Sequence, residues 1–257
     1  MATLSVRGIA SSCLGLSGNL SVNSDVYGYI FRDTDGSIFG TLAGNDTLPG
    51  TGTPRGRSLR QHLQRISGRS TDLVMILVAH ENDFSGSVSR DQVTKTQYAV
   101  QIVRDIYAQA GLGVRRIRWQ RIPVADAGGY ANISDRGEAQ DLTDDWSGPG
   151  GGIDVFLVQS IGDAGGWSNV SGPCDKKSKF DLSGAVVELS SGRRFLGVLT
   201  AHEVGHYLGL KHGSSLSNLM GADTNDDGIG EINNNSTGLS ASQRTKMHTH
   251  CSVKAAC

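Results

Sequence analysis

The sequence carries almost no excess charge and no long apolar run. Its 24 lysine and arginine residues nearly balance 25 aspartate and glutamate residues, which leaves a formal net charge of -1. A chain without a basic excess lacks the attraction that draws proteins to nucleic acids or to anionic membrane surfaces. The longest strongly apolar run, Leu73–Ala79, is far shorter than the ~20 residues that cross a bilayer. We therefore predict neither nucleic-acid binding nor membrane insertion.

The amino-terminal segment lacks the continuous apolar stretch of a signal peptide. Polar and apolar residues are mixed throughout Met1–Leu20. We expect the chain to be either cytosolic or a mature form that begins with a new start methionine.

Cysteine is scarce, with four residues at Cys13, Cys174, Cys251 and Cys257. None of them lies in a Cys-x-x-Cys pair, so the sequence predicts neither a zinc ribbon nor a thioredoxin-type redox site. Four cysteines allow up to two disulfides in three possible pairings. Two bridges in a secreted protein are our preferred interpretation, and free buried thiols are the alternative.

The first part of the chain, residues 1–70, is rich in glycine, serine and threonine and predicts a small β-rich region. Aromatic and β-branched residues in Val26–Phe31 and Ser37–Leu42 flank the turn sequence Asp33–Gly36. That pattern is typical of two antiparallel strands joined by a tight turn. The two aspartates of the turn could also suggest a cation-binding loop, but a plain hairpin is the preferred interpretation. The role of this region cannot be read from its sequence.

Residues 71–257 show a different pattern, in which apolar strands alternate with a long amphipathic helix. The run Leu73–Ala79 is apolar at every position, as expected for a strand buried on both faces. We predict an α/β (or α+β) domain in which a twisted mixed sheet is backed by a long helix. The predicted helix is Asp91–Gly111, and the further predicted strands are Val114–Val124, Ile153–Val158 and Ala185–Leu189.

The segment 202–212 reads HEVGHYLGLKH and carries the chemistry of the chain. Apolar residues at helical spacing precede it, so His202 and His206 should lie one turn apart on one helical face. Two imidazoles at that separation can bind one zinc ion. Glu203 then lies beside the metal, where a carboxylate can serve as general base toward water.

A third ligand requires the helix to end before His212. Gly209 provides that end, because glycine tolerates the left-handed backbone that turns a chain sharply after a helix. His212 can then approach the same zinc ion as a third ligand. Three neutral histidines leave a fourth position open for water, which is the catalytic rather than the structural arrangement.

The segment 202–212 resembles the metzincin signature of zinc metallopeptidases, His-Glu-x-x-His-x-x-Gly-x-x-His. That clan also has a methionine turn beneath the histidines, and Met220 follows His212 at a spacing similar to that of the matrix-metalloproteinase-like (matrixin) branch. Leu239–Gln243 resembles the start of that branch's last helix, where Ser240 and Gln243 form a plausible capping box. Residues Gly221–Ala222 replace the tyrosine of other branches, so no tyrosine ligand is expected.

The resemblance implies a zincin-like catalytic domain and a secreted, zinc-dependent endopeptidase in which Glu203 assists attack of zinc-bound water on a peptide bond. Polypeptide substrates would bind extended along an edge strand. We expect that strand within Gly162–Asn169, with Ala164, Gly165, Gly166 and Trp167 at its centre. An ordinary glycine-rich loop is the alternative. Because Cys174 follows this segment, one bridge should join it to the C-terminal cysteines. We expect a monomer.

A second, acidic segment follows the methionine turn. Asp223, Asn225 and Asp227 present oxygen atoms at alternate positions before Gly228, like the start of a calcium loop. The twelfth position of such a loop is Asn234 rather than glutamate, so a solvated acidic turn is an equal alternative. Zinc and, at this loop, calcium are therefore the cofactors that the sequence suggests.

Three functions remain open at this stage. A zinc endopeptidase is the leading hypothesis. A zinc amidase or narrow aminopeptidase could use the same site if one side of the cleft were closed. A catalytically silent binding module, stabilised by zinc or calcium, is the third, although retention of Glu203 argues against it because zinc binding alone needs only the histidines.

Overall fold

The structure is a computed structural model in which strands and helices form two separate sheets and a third, short strand pair. It describes residues 4–11, 15–22, 25–32, 38–42, 68–81, 89–148, 151–162, 164–176, 182–189, 192–223 and 230–255. The strands are β1 (Leu4–Ser11), β2 (Gly15–Val22), β3 (Asp25–Arg32), β4 (Ile38–Leu42), β5 (Arg69–Val78), β6 (Leu112–Ile122), β7 (Asn132–Ile133), β8 (Ile153–Val158), β9 (Ser160–Ile161), β10 (Gly166–Ser168) and β11 (Ala185–Glu188). The helices are α1 (Arg90–Ala108), α2 (Arg136–Trp146), α3 (Arg193–Tyr207) and α4 (Ala241–Met247). Within these ranges, no helix has the length and apolar character needed to cross a bilayer.

The amino-terminal sheet is antiparallel, with strand order β1-β2-β3-β4. Strands β3 and β4 pair in the register Phe31 opposite Phe39. The hairpin predicted from the sequence is therefore confirmed, although its turn residues 33–36 lie outside the described part of the chain. The boundary placed at residue 70 stays a prediction.

The second sheet has five strands in the order β10-β11-β8-β5-β6. The pairs β11–β8, β8–β5 and β5–β6 are parallel, whereas β10 runs antiparallel to β11 at the end of the sheet. The predicted mixed sheet and α/β class are confirmed. The apolar run Leu73–Ala79 forms most of β5, an interior strand between β8 and β6 that is covered on both faces.

Helices cover both faces of this sheet. Met75 belongs to a core cluster that also contains residues of α1 and α3. Its neighbour Ile76 points the other way and belongs to a second cluster with Ala139 and Leu142 of α2. Because successive side chains of a strand alternate between faces, each face of β5 contributes side chains to one of the two core clusters. The sheet thus holds α3 on one side and α2 on the other.

Helices α1 and α3 pack in close contact at Gly197. A Cβ atom at this position would lie 2.5 Å from Cβ of Ile102, so any larger residue would force the two helices apart. Close by, the Tyr107 hydroxyl donates a hydrogen bond of 2.8 Å to the Ala201 carbonyl, and burial raises the pKa of Tyr107. Helix α1, the predicted backing helix, thereby sets the position of α3.

Capping residues determine where several of the helices begin or end. Ser89 and Gln92 form a reciprocal capping box at the start of α1, and Ser240 and Gln243 form the predicted one at the start of α4. Gly111, with φ of 65°, adopts the left-handed backbone conformation just after α1 and closes the predicted helix. Local sequence therefore determines these ends.

Helix α2 was not predicted. Its start carries a recognisable signal, because the Asp135 side chain accepts a hydrogen bond of 3.0 Å from the Glu138 backbone amide. An aspartate cap with glutamate three residues later is a common helix start. The helix is short, however, and its apolar residues Ala139 and Leu142 give a weak periodic pattern.

One disulfide joins Cys174 to Cys251, 77 positions apart. The predicted bridge between the segment after the edge strand and the C-terminal cysteines is therefore confirmed. The loop that it closes contains β11, α3 and the whole of segment 202–212. Cys13 and Cys257 lie outside the described residues, so the second predicted bridge stays a prediction.

Replacing Cys251 with serine should lower the free energy of unfolding by about 2–4 kcal/mol, because the bridge closes a long loop in the unfolded chain. Urea unfolding of wild type and variant, both without reductant, measures the difference. A non-reducing peptide map should show Cys174 linked to Cys251. A map that links Cys174 to Cys257, or an unchanged urea midpoint, would contradict this account.

Candidate metal centre and active-site cleft

Helix α3 places His202 and His206 side by side. Both side chains are buried, with 4% and 6% exposure, and their Nε2 atoms lie 3.0 Å apart. The interval of four residues sets this geometry, because residues i and i+4 lie one above the other on a helical face. The structure therefore places the two imidazoles together on one helical face, where the spacing predicts them.

The helix ends at Tyr207, two residues before the glycine that the sequence predicts as its end, Gly209. This glycine has φ of 96°. Its amide donates a hydrogen bond of 2.8 Å to the His206 carbonyl, and the Leu210 amide donates one of 3.0 Å to the Gly205 carbonyl. These two bonds form a Schellman motif, which turns the chain back across the helix end. The turn brings Nε2 of His212 to 3.0 Å from Nε2 of His206.

Backbone carbonyls orient the two helical imidazoles. Nδ1 of His202 donates a hydrogen bond of 2.9 Å to the Leu219 carbonyl, and Nδ1 of His206 donates one of 2.8 Å to the Leu210 carbonyl. Since a carbonyl only accepts, each Nδ1 carries the proton and each Nε2 has a free lone pair. Both lone pairs point at the shared centre. Two unprotonated nitrogens at this distance repel each other unless a cation lies between them.

The donor set fits zinc. The ligand atoms of His202, His206 and His212 all lie within 4.8 Å of one another. Tetrahedral zinc with metal–nitrogen bonds of about 2.0–2.1 Å requires nitrogen atoms about 3.3 Å apart, close to the observed spacing. Burial lowers the pKa of His202 to about 4 and that of His206 to about 3, so both imidazoles are neutral at physiological pH, as metal ligands must be.

Glu203 lies next to this triad in an almost dry position. The side chain is 4% exposed, and burial raises its pKa to about 8. The backbone of Gly166 in β10 passes directly over it, since a Cβ atom there would lie 2.7 Å from both Cγ and Oε1 of Glu203. The carboxyl group is therefore confined between α3 and the edge strand.

Met220 is fully buried beneath the triad. A Cβ atom at Gly205 would lie 3.1 Å from its sulfur, so the glycine within the His-Glu-x-x-His segment permits this contact. The Asn218 side chain accepts a hydrogen bond of 2.9 Å from the Met220 amide. Because Leu219 also binds His202, the turn at 218–220 orients a histidine and packs against the helix that carries it.

The predicted edge strand borders the same cleft. Strand β10 is the last strand of its sheet and pairs with one neighbour, β11, among the described residues. Ala164, Gly165, Gly166 and Trp167 all line a cavity of about 580 Å³ that also contains the histidine triad and Glu203. The structure thus brings the predicted strand, base and histidines to one place.

Gly230 and Arg136 are among the residues of the cleft that sequence reasoning missed. Gly230 packs against the His212 ring, where a Cβ atom would lie 2.4 Å from Cδ2. Arg136, the first residue of α2, also lines the cavity. Neither residue stands near segment 202–212 in sequence, so only the tertiary structure reveals them.

The calcium prediction lies largely outside the described residues. Asp223 is described, but Asn225 and Asp227 are not. The calcium site therefore stays a prediction. A second group of metal-binding residue types, Cys174, His250 and Cys251, has both of its sulfur atoms in the disulfide.

Neither a protein-family model nor a curated protein sequence matches the chain. Among solved structures, the chain is similar to metalloproteinase-II from Bacteroides fragilis, at 16% identity and a TM-score of 0.44. The match covers 95% of this chain and 78% of that one. The function proposed below rests on the residues of the site rather than on this likeness.

Replacing Gly166 with alanine should lower the free energy of unfolding by about 1–3 kcal/mol, because the added methyl group would overlap Glu203. The matched control is Gly129→Ala, since a Cβ atom at Gly129 meets nothing within 4 Å. Thermal or urea unfolding of the two variants measures the contrast. Equal stability of the two variants would show that β10 does not pass over Glu203 at the distance described.

Proposed function

We propose that this protein is a zinc-dependent endopeptidase. The observation that carries the proposal is the convergence of three imidazole nitrogens beside a buried carboxyl group, on the floor of a cleft that has a strand edge along one side. A purely structural zinc site would need a fourth protein ligand, and the described residues around the triad offer none of the usual kind. The arrangement suits catalysis better than scaffolding.

His202, His206 and His212 would hold the zinc ion. When bound, zinc supplies Lewis acidity, which makes water more acidic and polarises a carbonyl group. The contribution of the chain is to keep the two helical imidazoles neutral by burial and to orient them, because the Leu219 and Leu210 carbonyls fix their tautomers.

Glu203 would act as the general base and then as the general acid. Its carboxylate would take a proton from the attacking water and return it to the departing amine nitrogen. Burial near the triad favours this role, because a carboxyl group whose pKa is raised toward neutral pH can both take and return a proton. Confinement by the Gly166 backbone would limit the carboxyl group to few orientations.

Strand β10 would bind the substrate backbone. A polypeptide laid along its free edge would add a strand to the sheet through main-chain hydrogen bonds, independently of side-chain sequence. Gly165 and Gly166 would allow close approach, since neither carries a side chain that would fill the cleft. An extended substrate passing through an open cleft suits cleavage of internal bonds.

The proposal extends to the peptidase clan, the compartment and the domain organisation of the protein. Motif spacing in segments 202–212 and 218–220 supports the metzincin clan and its matrixin branch. The Cys174–Cys251 bridge supports secretion, because disulfides persist mainly in oxidising compartments. A monomer with a catalytic domain over residues 71–257 and a separate region over residues 1–70 completes the proposal.

Replacing Glu203 with glutamine should abolish most cleavage while the metal stays bound. The amide keeps the shape of the side chain but cannot take a proton, so cleavage of an internally quenched peptide should fall by ~10²–10⁴-fold. All three histidines remain, so zinc measured by plasma mass spectrometry should stay near one ion per chain.

Wild-type protein and a chelator-treated sample serve as controls for this experiment. Full activity in the Glu203→Gln variant would reject the proposed mechanism. Release of single terminal residues, without internal cleavage by the wild type, would favour the aminopeptidase alternative. No cleavage of a broad peptide library by zinc-loaded wild type would favour the binding module.

Replacing His212 with alanine should lower zinc content and activity together, because the variant loses a ligand rather than a base. A matched control is His248→Ala, since His248 does not line the cleft and instead contacts the Ala110 carbonyl. That control should keep its zinc. Stoichiometric zinc and wild-type activity in the His212→Ala variant would contradict the proposed ligand set.

A further inference from the structure

Arg136 is a cation on the rim of the cleft with an anchored guanidinium group. It lines the same cavity as Glu203 and the histidines, and its Nη2 donates a hydrogen bond to Oδ1 of Asn169. Asn169 is only 8% exposed and directly follows strand β10. A buried amide therefore restrains the direction of a guanidinium group that is itself exposed to the cleft.

The anchor of Arg136 is neutral, and this decides what the arginine can do. An amide oxygen orients the guanidinium group without cancelling its charge, whereas a carboxylate partner would form an ion pair. Among the described residues, Arg136 forms no ion pair with Asp or Glu. A guanidinium group offers five N–H donors in a planar fork that matches a carboxylate, and Asn169 uses one of its edges.

The position of Arg136 along the cleft follows from strand geometry. Gly166 lies over Glu203, where the reacting carbonyl would be, and Asn169 lies three positions further along the chain. At about 3.3 Å per residue, the Arg136 anchor is about 10 Å from that point. Antiparallel pairing is the more stable arrangement of two strands. In an antiparallel substrate, the C-terminal end of β10 faces residues on the amino side of the scissile bond.

We propose that Arg136 is a specificity-determining residue that selects substrates with a carboxylate two to four residues before the scissile bond. The inference rests on the proposed peptidase function and names its substrate class. A carboxylate at that place belongs to an internal aspartate or glutamate side chain, because a free C-terminal carboxylate would lie on the other side of the scissile bond. The preferred substrates are therefore acidic on their amino side.

The test compares paired quenched peptides that differ only by glutamate or glutamine. The pairs start from one peptide that the wild type cleaves and place the substitution at each of four positions before and four positions after the scissile bond. A further pair carries a free or an amidated C-terminus. We expect kcat/KM to be about tenfold higher for glutamate at a position two to four residues before the bond. The preference should shrink as salt is raised, because the guanidinium group is exposed.

Variants assign the preference to Arg136. Arg136→Gln should lower the ratio of kcat/KM for the glutamate peptide to that for the glutamine peptide to about one. Arg136→Lys should keep part of the glutamate preference, since the charge remains without the planar fork. The matched control is Arg244→Gln, which changes the net charge equally at an exposed arginine of α4 outside the cavity lining.

Each outcome has a distinct meaning. A preference that survives in Arg136→Gln, or that is absent from every position before the bond, would overturn this inference while leaving the peptidase function intact. A preference confined to positions after the bond, or to the free C-terminus, would overturn the antiparallel placement. No cleavage of any peptide would instead remove the proposed function on which the inference rests.

Discussion

The architecture of the cleft depends on three imidazole nitrogens that converge within 4.8 Å of one another. Nε2 of His206 lies 3.0 Å from Nε2 of His202 and from Nε2 of His212, a spacing close to that of nitrogen ligands on one zinc ion. Neighbouring backbone elements hold the three imidazoles in place. Helix α3 aligns two of the rings, the Schellman turn at Gly209 delivers the third, and the carbonyls of Leu210 and Leu219 fix the tautomers. Because one tautomer partner comes from the helix end and the other from the methionine turn, both turns are coupled to the metal centre.

Glycines, which have no side chain beyond a hydrogen atom, allow the strand, helix and loops of the cleft to pack closely. Gly166 leaves room for Glu203 beneath β10, Gly205 for the Met220 sulfur and Gly230 for the His212 ring. A methyl group at any of these positions would lie within 3.1 Å of its neighbour. Close packing leaves Glu203 only 4% exposed and limits motion of the ligands, both of which favour a preorganised site. The high glycine content thus has a specific use in the cleft.

Sequence reasoning succeeded where the determining contacts are local. The interval between His202 and His206, the helix end at Gly209 and the capping box at Ser240 each depend on residues within one or two turns. The buried interior strand β5 was also predictable, because a strand with one exposed face would alternate apolar and polar residues, whereas Leu73–Ala79 is apolar throughout. Helix α2 was missed because its apolar periodicity is weak, although its aspartate cap could have revealed it.

Residues that reach the cleft from distant parts of the chain could not be predicted. Arg136 and Gly230 are brought to the triad by the packing of the sheet and by the path of the chain after the methionine turn, and no local pattern marks either residue. The predicted edge strand is an intermediate case. Its small residues suggested close backbone approach, but only the sheet order places β10 at an edge beside Glu203.

X-ray absorption at the zinc edge tests the central claim most directly. The account predicts one zinc ion per chain with three imidazole nitrogens at about 2.0–2.1 Å and a fourth ligand that is not supplied by the protein. The spectrum of the Glu203→Gln variant should retain all three imidazole contributions. A first shell containing sulfur at about 2.3 Å, or fewer than three imidazoles in the wild-type protein, would contradict the triad as the metal site.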